Sequence, residues 1–387
     1  MRFWPFRRRP RYVVSAVPPE HLLALEEVLR MQLEDCFVVH KQELRGHAFA
    51  WGGTLTVEPA RALRSLEARF KPYGFTPFLG REGGLTWVQA LPLGEVQVPS
   101  RPRVNLVLFL ATCLSTLAAG YFLAGSFPFL TFSPLAEPAR LLDGVPFAAA
   151  LLAILGTHEF GHYFTARRYG ASVSLPYFIP APPPLFLFGT LGAVIRMRSP
   201  ARDRNSLFDI AVAGPLAGLA VALPALWVGL GWSRVGVVPE GAGMMMFGDS
   251  LLMRFFVWLT FGPIPEGMDV FVHPVALAGW VGLFVTALNL FPVGQLDGGR
   301  IAYALFGPRH RAVSVGTVLA LLALGALAGS MNWIVFAALV LFLIGVEHAP
   351  PLDDLTPLSP GRYAVGVLCL VLLILLIPPV PFAITAG

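Results

Sequence analysis

Ala153 to Gly170 reads "AILGTHEFGHYFTARRYG", and two opposed demands meet in it. Upstream, "GVPFAAALLAILG" is hydrocarbon suited to lipid. Within it, His158-Glu159-Phe160-Gly161-His162 fits the H-E-x-x-H pattern of zinc hydrolysis. On a helix, residues four apart share a face, so His158 and His162 can hold one ion between their imidazoles. Glu159, beside them, can act as a general base rather than as a ligand. A catalytic zinc takes three protein ligands, so two histidines leave the set one short. A chemistry that needs water is thus written into a segment that excludes it.

The composition supports the lipid half of that statement. Of 387 residues, 56% are hydrophobic and only 13% charged, against about 25% charged in ordinary soluble domains. The mean hydropathy is +0.68. Most of the charge deficit lies after Arg103, which predicts a multispan α-helical membrane protein with a soluble N-terminal portion. The net charge of +5 does not point to nucleic acid, because the arginines cluster at the N-terminus and flank apolar runs. Arg7 to Arg11 is read as a topology signal that can touch anionic lipid. The start has a basic cluster but no apolar stretch after it, so no secretory signal is expected there. Cys36, Cys113 and Cys369 are far apart and make neither a disulfide framework nor a cysteine zinc site.

Along the chain, residues 1–98 are expected to form a soluble α+β domain. "RYVVSAV" predicts a strand, "PPEHLLALEEVLRMQLED" a helix, "CFVVHKQEL" and "GHAFAWGGTLTV" strands, and "EPARALRSLEARFKPYG" a second helix. A hairpin turning at Glu82-Gly83-Gly84 follows, and the order β-α-β-β-α-β is that of a ferredoxin-like split unit. Residues 99–103 are a linker, 104–311 the transmembrane core and 312–387 C-terminal transmembrane helices. Apolar runs of about twenty residues, long enough to cross a bilayer, are expected near 104–125, 145–166, 207–231, 273–293, 312–329, 332–347 and 363–380. Six to seven transmembrane helices follow, the last being the weakest. "SLLMRFFVWLTFG" is short, carries Arg254 and predicts an interfacial helix. Loop arginines follow the second and fourth runs, which puts the N-terminus inside and, after seven crossings, the C-terminus outside. Between Ser174 and Ser199, Pro176, Pro180, Pro182, Pro183 and Pro184 forbid a continuous helix. That segment predicts a re-entrant, partly extended element, which survives at membrane depth only against protein or water.

The third ligand is sought in "ALNLFPVGQLDGGR", Ala287 to Arg300, the other cluster of unusual polar residues at a membrane end. Asp297 stands there beside two glycines, which allow close backbone approach. The second and fourth spans both run outside to inside, so the histidines and Asp297 arrive at similar depth.

These two motifs carry a resemblance. His158-Glu159-Phe160-Gly161-His162 with Asn289-Leu290-Phe291-Pro292 and then Leu296-Asp297-Gly298 is similar to the site-2 protease family of intramembrane zinc metalloproteases, over roughly Val104 to Arg311. Asp209 with "AGPLAGL", Ala213 to Leu219, resembles that family's third core helix, and "FGTLGAVIRM" its membrane-inserted strand region. The N-terminal domain is similar to that of the chloroplast and cyanobacterial branch, with no PDZ-like or CBS-like insertion. The resemblance implies one Zn2+ held by His158, His162 and Asp297, with Glu159 as base. It also implies a polar role for Asn289, in stabilising an oxyanion or orienting substrate; an asparagine can equally be interhelical glue. Substrate would pair with the extended stretch at Gly189, Thr190, Leu191, Gly192 and Ala193. The expected partners are a transmembrane protein substrate and the lipid bilayer, with no nucleic acid; oligomeric state is not legible. The expected place is a bacterial inner membrane, with the site near the cytoplasmic face.

Competing readings exist for several residues. "AGPLAGL" is taken as close-packing positions. Asp209 is either a partner of a zinc-binding imidazole or a first-turn carboxylate favoured by the helix dipole. His273, before Pro274, is a helix-start residue; His21, His40 and His47 have no ligand spacing. At the level of function, the alternatives are a zinc transporter or sensor and a non-proteolytic scaffold. Transporters spread polar residues through depth and repeat internally, and neither sign is visible.

Overall fold

A computed structural model describes residues 19–45, 48–93, 101–124, 138–183, 186–197, 199–237 and 245–384. The N-terminal part consists of α1 (Pro19–Met31), β1 (Phe37–Arg45), β2 (Ala48–Leu55), α2 (Pro59–Phe70), β3 (Thr76–Glu82) and β4 (Leu85–Leu91). The strands form one antiparallel sheet in the order β1-β2-β4-β3. α2 turns Ala62, Leu63, Leu66 and Phe70, at helical spacing, onto a core containing Phe49, Trp51, Leu79 and Val88. The strand expected at "RYVVSAV" and the Arg7–Arg11 cluster lie outside the described residues. Among the described residues the order is α-β-β-α-β-β, and β2 and β4 hold the inner places of the sheet. The hairpin decides this arrangement. Gly83 and Gly84 take positive φ values of 59° and 83°, which close a two-residue turn and return β4 against β2.

Among the described residues, four helical stretches are long and apolar enough to cross a membrane. They are α3 (Pro102–Leu123), α4 (Val145–Arg168), α5 (Arg204–Gly231) and the run Asp297–Leu327, made of α8 (Asp297–Phe306) and α9 (His310–Leu327). α6 (Leu251–Phe261), α7 (Pro274–Leu290), α10 (Met331–Leu339) and α11 (Pro360–Leu376) are apolar but shorter. α7 and α11 have 17 residues each. Prolines set those lengths: Pro292 stops α7 short of the expected 293, and Pro378 and Pro379 stop α11 short of 380. Between these helices lie two small two-stranded antiparallel sheets, one pairing β7 (Arg234–Val237) with β9 (Met268–Phe271) and one pairing β8 (Met245–Phe247) with β10 (Phe382–Ile384).

The proline-rich segment is not helical. β5 (Tyr177–Pro180) pairs antiparallel with β6 (Thr190–Val194), with a register shift between Phe178 and Pro180. Its freed backbone groups find partners on α3: Asn105, buried, donates through Nδ2 to the carbonyls of Leu175 at 3.1 Å and Pro176 at 2.8 Å. An irregular backbone is thereby tolerated among apolar helices.

The N-terminal sheet does not hang free. Leu79 of β3 donates to the Leu352 carbonyl at 2.7 Å and accepts from Asp354 N at 2.9 Å. The same segment reaches the start of α5, with Leu352 N to Ala201 O at 2.9 Å and Asp353 N to Arg202 O at 2.8 Å. Leu352 is buried in the core shared by α2 and the N-terminal sheet. Asp354 accepts from Arg204 Nε at 2.8 Å and from the Tyr303 hydroxyl at 3.0 Å. One short loop therefore joins the sheet, α5 and α8.

Candidate metal centre

α4 and α5 cross closely because glycines face side chains. Gly161 lies on Ala213, where an added Cβ would stand 2.6 Å from the Ala213 carbonyl oxygen. A Cβ on Gly214 would stand 2.1 Å from His162 Nε2, and one on Gly218 would stand 3.1 Å from His158 Cβ. The histidines are four apart on α4 and these glycines four apart on α5, so each imidazole has its own vacancy in the neighbouring helix. Pro215 has no N–H to give the Ala211 carbonyl four residues earlier in α5. Just before it, the Ile210 carbonyl accepts a hydrogen bond from His162 Nδ1 at 2.6 Å.

Asp297 comes from the other direction, as the first residue of α8. Gly298 and Gly299 let that helix start hard against the end of α7: a Cβ on Gly298 would stand 1.9 Å from the Leu290 carbonyl oxygen. Asp297 Oδ2 lies 3.0 Å from His162 Nε2 and 3.5 Å from His158 Nε2. The two Nε2 atoms are 3.2 Å apart. All three residues are buried, and they are the only such cluster of potential metal ligands among the described residues.

Those contacts favour a cation. A carbonyl only accepts, so His162 Nδ1 carries the proton and Nε2 of the neutral ring has a lone pair. That lone pair faces a carboxylate oxygen and a second imidazole nitrogen. Three electron-rich atoms aimed at one point repel one another unless a positive charge sits between them. A tetrahedral zinc with bonds of about 2.0–2.1 Å spaces its ligands about 3.3–3.4 Å apart. The separations of 3.0, 3.2 and 3.5 Å match that spacing. Donor set, burial and separation all fit zinc. Glu159, 7% exposed, lies beside the cluster, with the backbone of Ile195, the residue after β6, near its carboxylate.

The model of Peptidase family M50 matches residues 146–327. This stretch is an M50 domain. The family is that of the site-2 proteases, and the cluster just described lies inside the matched residues. "Probable zinc metalloprotease EGY2, chloroplastic" of Arabidopsis thaliana is 32% identical over 253 residues, 64% of this chain and 44% of that protein. "Probable zinc metalloprotease EGY1, chloroplastic" of Oryza sativa subsp. japonica is 34% identical over 247 residues, 61% and 41% respectively. "Probable zinc metalloprotease EGY3, chloroplastic" of Oryza sativa subsp. indica is 35% identical over 298 residues, 71% and 48%. The chain spans about half the length of these curated relatives. No solved structure matches it.

The M50 domain distributes the other singled-out residues unevenly. Asn289, near the end of α7, points Nδ2 at His158 Nε2 from 3.5 Å. Gly189 takes φ 76° against the backbone of Ser115 and Thr116 on α3, so it serves packing. Thr190 Oγ1 donates to Ile179 O at 2.8 Å, inside the β5–β6 pair. Ala193 stands opposite Phe178 on β5, while Leu191 is 57% exposed. Asp209 is not the partner of an imidazole. It takes a hydrogen bond from the Tyr169 hydroxyl and a two-point bond from Arg362, Nε to Oδ1 at 2.7 Å and Nη2 to Oδ2 at 2.6 Å. The imidazole's partner is the backbone of the next residue, Ile210. "AGPLAGL" is a packing sequence, as expected, but what it packs is the pair of candidate ligands. His273 caps α7 by accepting Val275 N at 3.2 Å.

Sequence reasoning missed Ile210, Ile195 and the glycine vacancies. Backbone groups carry no residue signature. Gly214 and Gly218 did leave one, because their spacing of four repeats that of the histidines.

Proposed function

We propose that this chain is an intramembrane zinc endopeptidase of the site-2 protease type, cutting peptide bonds in or beside transmembrane segments of other membrane proteins in regulated proteolysis. The observation that carries this reading is the convergence of His158 Nε2, His162 Nε2 and Asp297 Oδ2 beside the buried Glu159. When bound, zinc would polarise the scissile carbonyl and acidify a water. The chain's own residues supply the rest. Glu159 takes the proton from the attacking water and returns it to the leaving amine. The Ile210 carbonyl holds His162 in the tautomer that presents Nε2. Asn289 is placed to bond an oxygen of the reacting peptide.

A helical substrate hides its peptide bonds and has to unwind. The open edge of β6, Gly189 to Ala193 and onward to Ile195, is where an extended segment would be added as a strand. The nearness of the Ile195 backbone to Glu159 supports that role, since it brings the strand beside the base.

The same reading takes residues 1–98 as a ferredoxin-like soluble domain, 99–103 as linker, 104–311 as protease core and 312–387 as further spans. It counts six or seven crossings, with the site toward the cytoplasm of a bacterial inner membrane. Arginines after α4 and at the start of α8 support that orientation. So do the bonds among β3, residues 201–202 and residues 352–354, segments that seven crossings put on one side.

One substitution tests the function. Glu159→Gln abolishes cleavage of a model membrane substrate while bound zinc stays near one per chain. A variant that still cuts, or a wild type that never holds zinc, removes the protease reading and leaves a transporter, sensor or scaffold.

A further inference from the structure

Arg300 follows a membrane segment, and its simplest role is to set orientation. Its side chain does something more specific. It lies one turn beyond Asp297 on α8, three-quarters buried, with Nη1 3.5 Å from Asp297 Oδ1. The other carboxylate oxygen, Oδ2, faces the two imidazoles. The guanidinium charge also acts on the Glu159 carboxylate. The two oxygens of Asp297 thus have separate neighbours, one cationic and one in the ligand cluster.

We propose that Arg300 is a positioning residue for the metal centre: by engaging Oδ1 it presents Asp297 as a ligand through Oδ2 alone. This rests on the zinc reading above. A carboxylate at a helix start rotates about its last bond, and a free one offers both oxygens to a hard cation or turns away. Asp297 has Gly298 and Gly299 beside it, which provide no side chain to hold it. Arg300 closes that freedom from position i+3, the neighbouring site on the helix surface. Its charge offsets one of the two buried carboxylates, Asp297 and Glu159, that crowd the site. A one-oxygen aspartate leaves the fourth corner of a tetrahedron open for water or a substrate carbonyl; a two-oxygen aspartate fills it.

The test uses the full chain purified in detergent. Zinc affinity is measured against a competing chelator, and coordination by the visible spectrum of the cobalt(II)-loaded protein. Arg300→Gln is expected to lower zinc affinity about ten- to a hundredfold. Its cobalt bands should weaken as the aspartate binds through both oxygens and raises the coordination number. Arg300→Lys, which keeps a charge within reach of Oδ1, should stay within a few-fold of wild type in affinity. Thermal melting of the metal-free proteins should be alike, which a merely structural role would not produce. Arg300→Gln with wild-type affinity and an unchanged cobalt spectrum overturns the proposal, as does equal loss in the lysine variant. If the glutamine variant does not accumulate, Arg300→Met takes its place with the same outcomes. Asp297→Ala separates the two readings: a wild type that binds zinc and an Asp297→Ala that does not leave the metal site standing whatever Arg300 shows.

Discussion

At the scale of single residues, the candidate centre depends as much on missing atoms as on ligands. Gly214→Ala puts a methyl 2.1 Å from His162 Nε2, and no helix adjustment of a few tenths of an ångström clears it. The substitution should cost about 1–3 kcal/mol of stability. It should also weaken zinc binding more than Leu216→Ala, two residues further along α5, as read by chelator competition on both variants. In the N-terminal part, between α1 and β1, Asp35 illustrates the opposite kind of residue. Arg69 donates to its two oxygens at 2.5 and 2.6 Å, and this hydrogen bonding holds the carboxyl below its ordinary value of 3.8. A depressed carboxylate pKa contributes stability above the unfolded value, and that contribution is lost as pH falls below about 3.8 toward the folded value. The pair is exposed, so the effect is small. Asp35→Asn should therefore be slightly less stable than wild type near neutral pH and converge on it in acid, flattening the acid limb of the unfolding curve followed by tryptophan fluorescence. His348 acts over a different range: burial holds its imidazole down at about 3, so the unfolded chain takes up that proton first and stability falls as pH drops below the ordinary value of 6.5.

At the scale of elements, the loop from Leu352 to Asp354 is the joint between the N-terminal sheet and the helices. It bonds to β3 by backbone, to the start of α5 by backbone, and to α5 and α8 through Arg204 and Tyr303. α5 backs both histidines and α8 begins with Asp297, so the joint touches the two helices that flank the ligands. Asp354→Ala removes two hydrogen bonds to a charged acceptor and leaves Arg204 without its counter-ion. A loss of about 1.5–3 kcal/mol is expected. Limited proteolysis should then release the soluble domain sooner than in wild type; an unchanged digestion time course would show that the joint holds by Leu352 and the backbone alone.

At the scale of the whole molecule, the ligand cluster ties α4 to α8, elements separated by more than a hundred residues. Anything that binds the folded cluster stabilises the entire arrangement by mass action, about 2.7 kcal/mol at a hundred times the dissociation constant. Chelation should therefore lower the thermal midpoint of the wild type in detergent. The midpoint of Asp297→Ala should not move with chelator. A wild-type midpoint that also ignores chelator would mean that no metal links the two helices.

Much of this was written in local patterns. H-E-x-x-H requires only the helical repeat to bring His158 and His162 to one face, and the apolar runs that became α3, α4 and α5 declare themselves by length. The prolines between Ser174 and Ser199 likewise announce a break in helix, since a missing N–H acts at its own position. Other features needed the folded chain. The pairing of β4 with β2 and the partners of Asp209 arise from contacts between distant segments. Asp297 meeting the imidazoles at 3.0 and 3.5 Å belongs to the same class. Residue type and spacing act along the chain, through covalent geometry and solvation, and can be read in order. Which carbonyl receives an imidazole, which glycine yields room and which arginine steadies a carboxylate depend on how helices cross, and that is settled only when all of them pack at once.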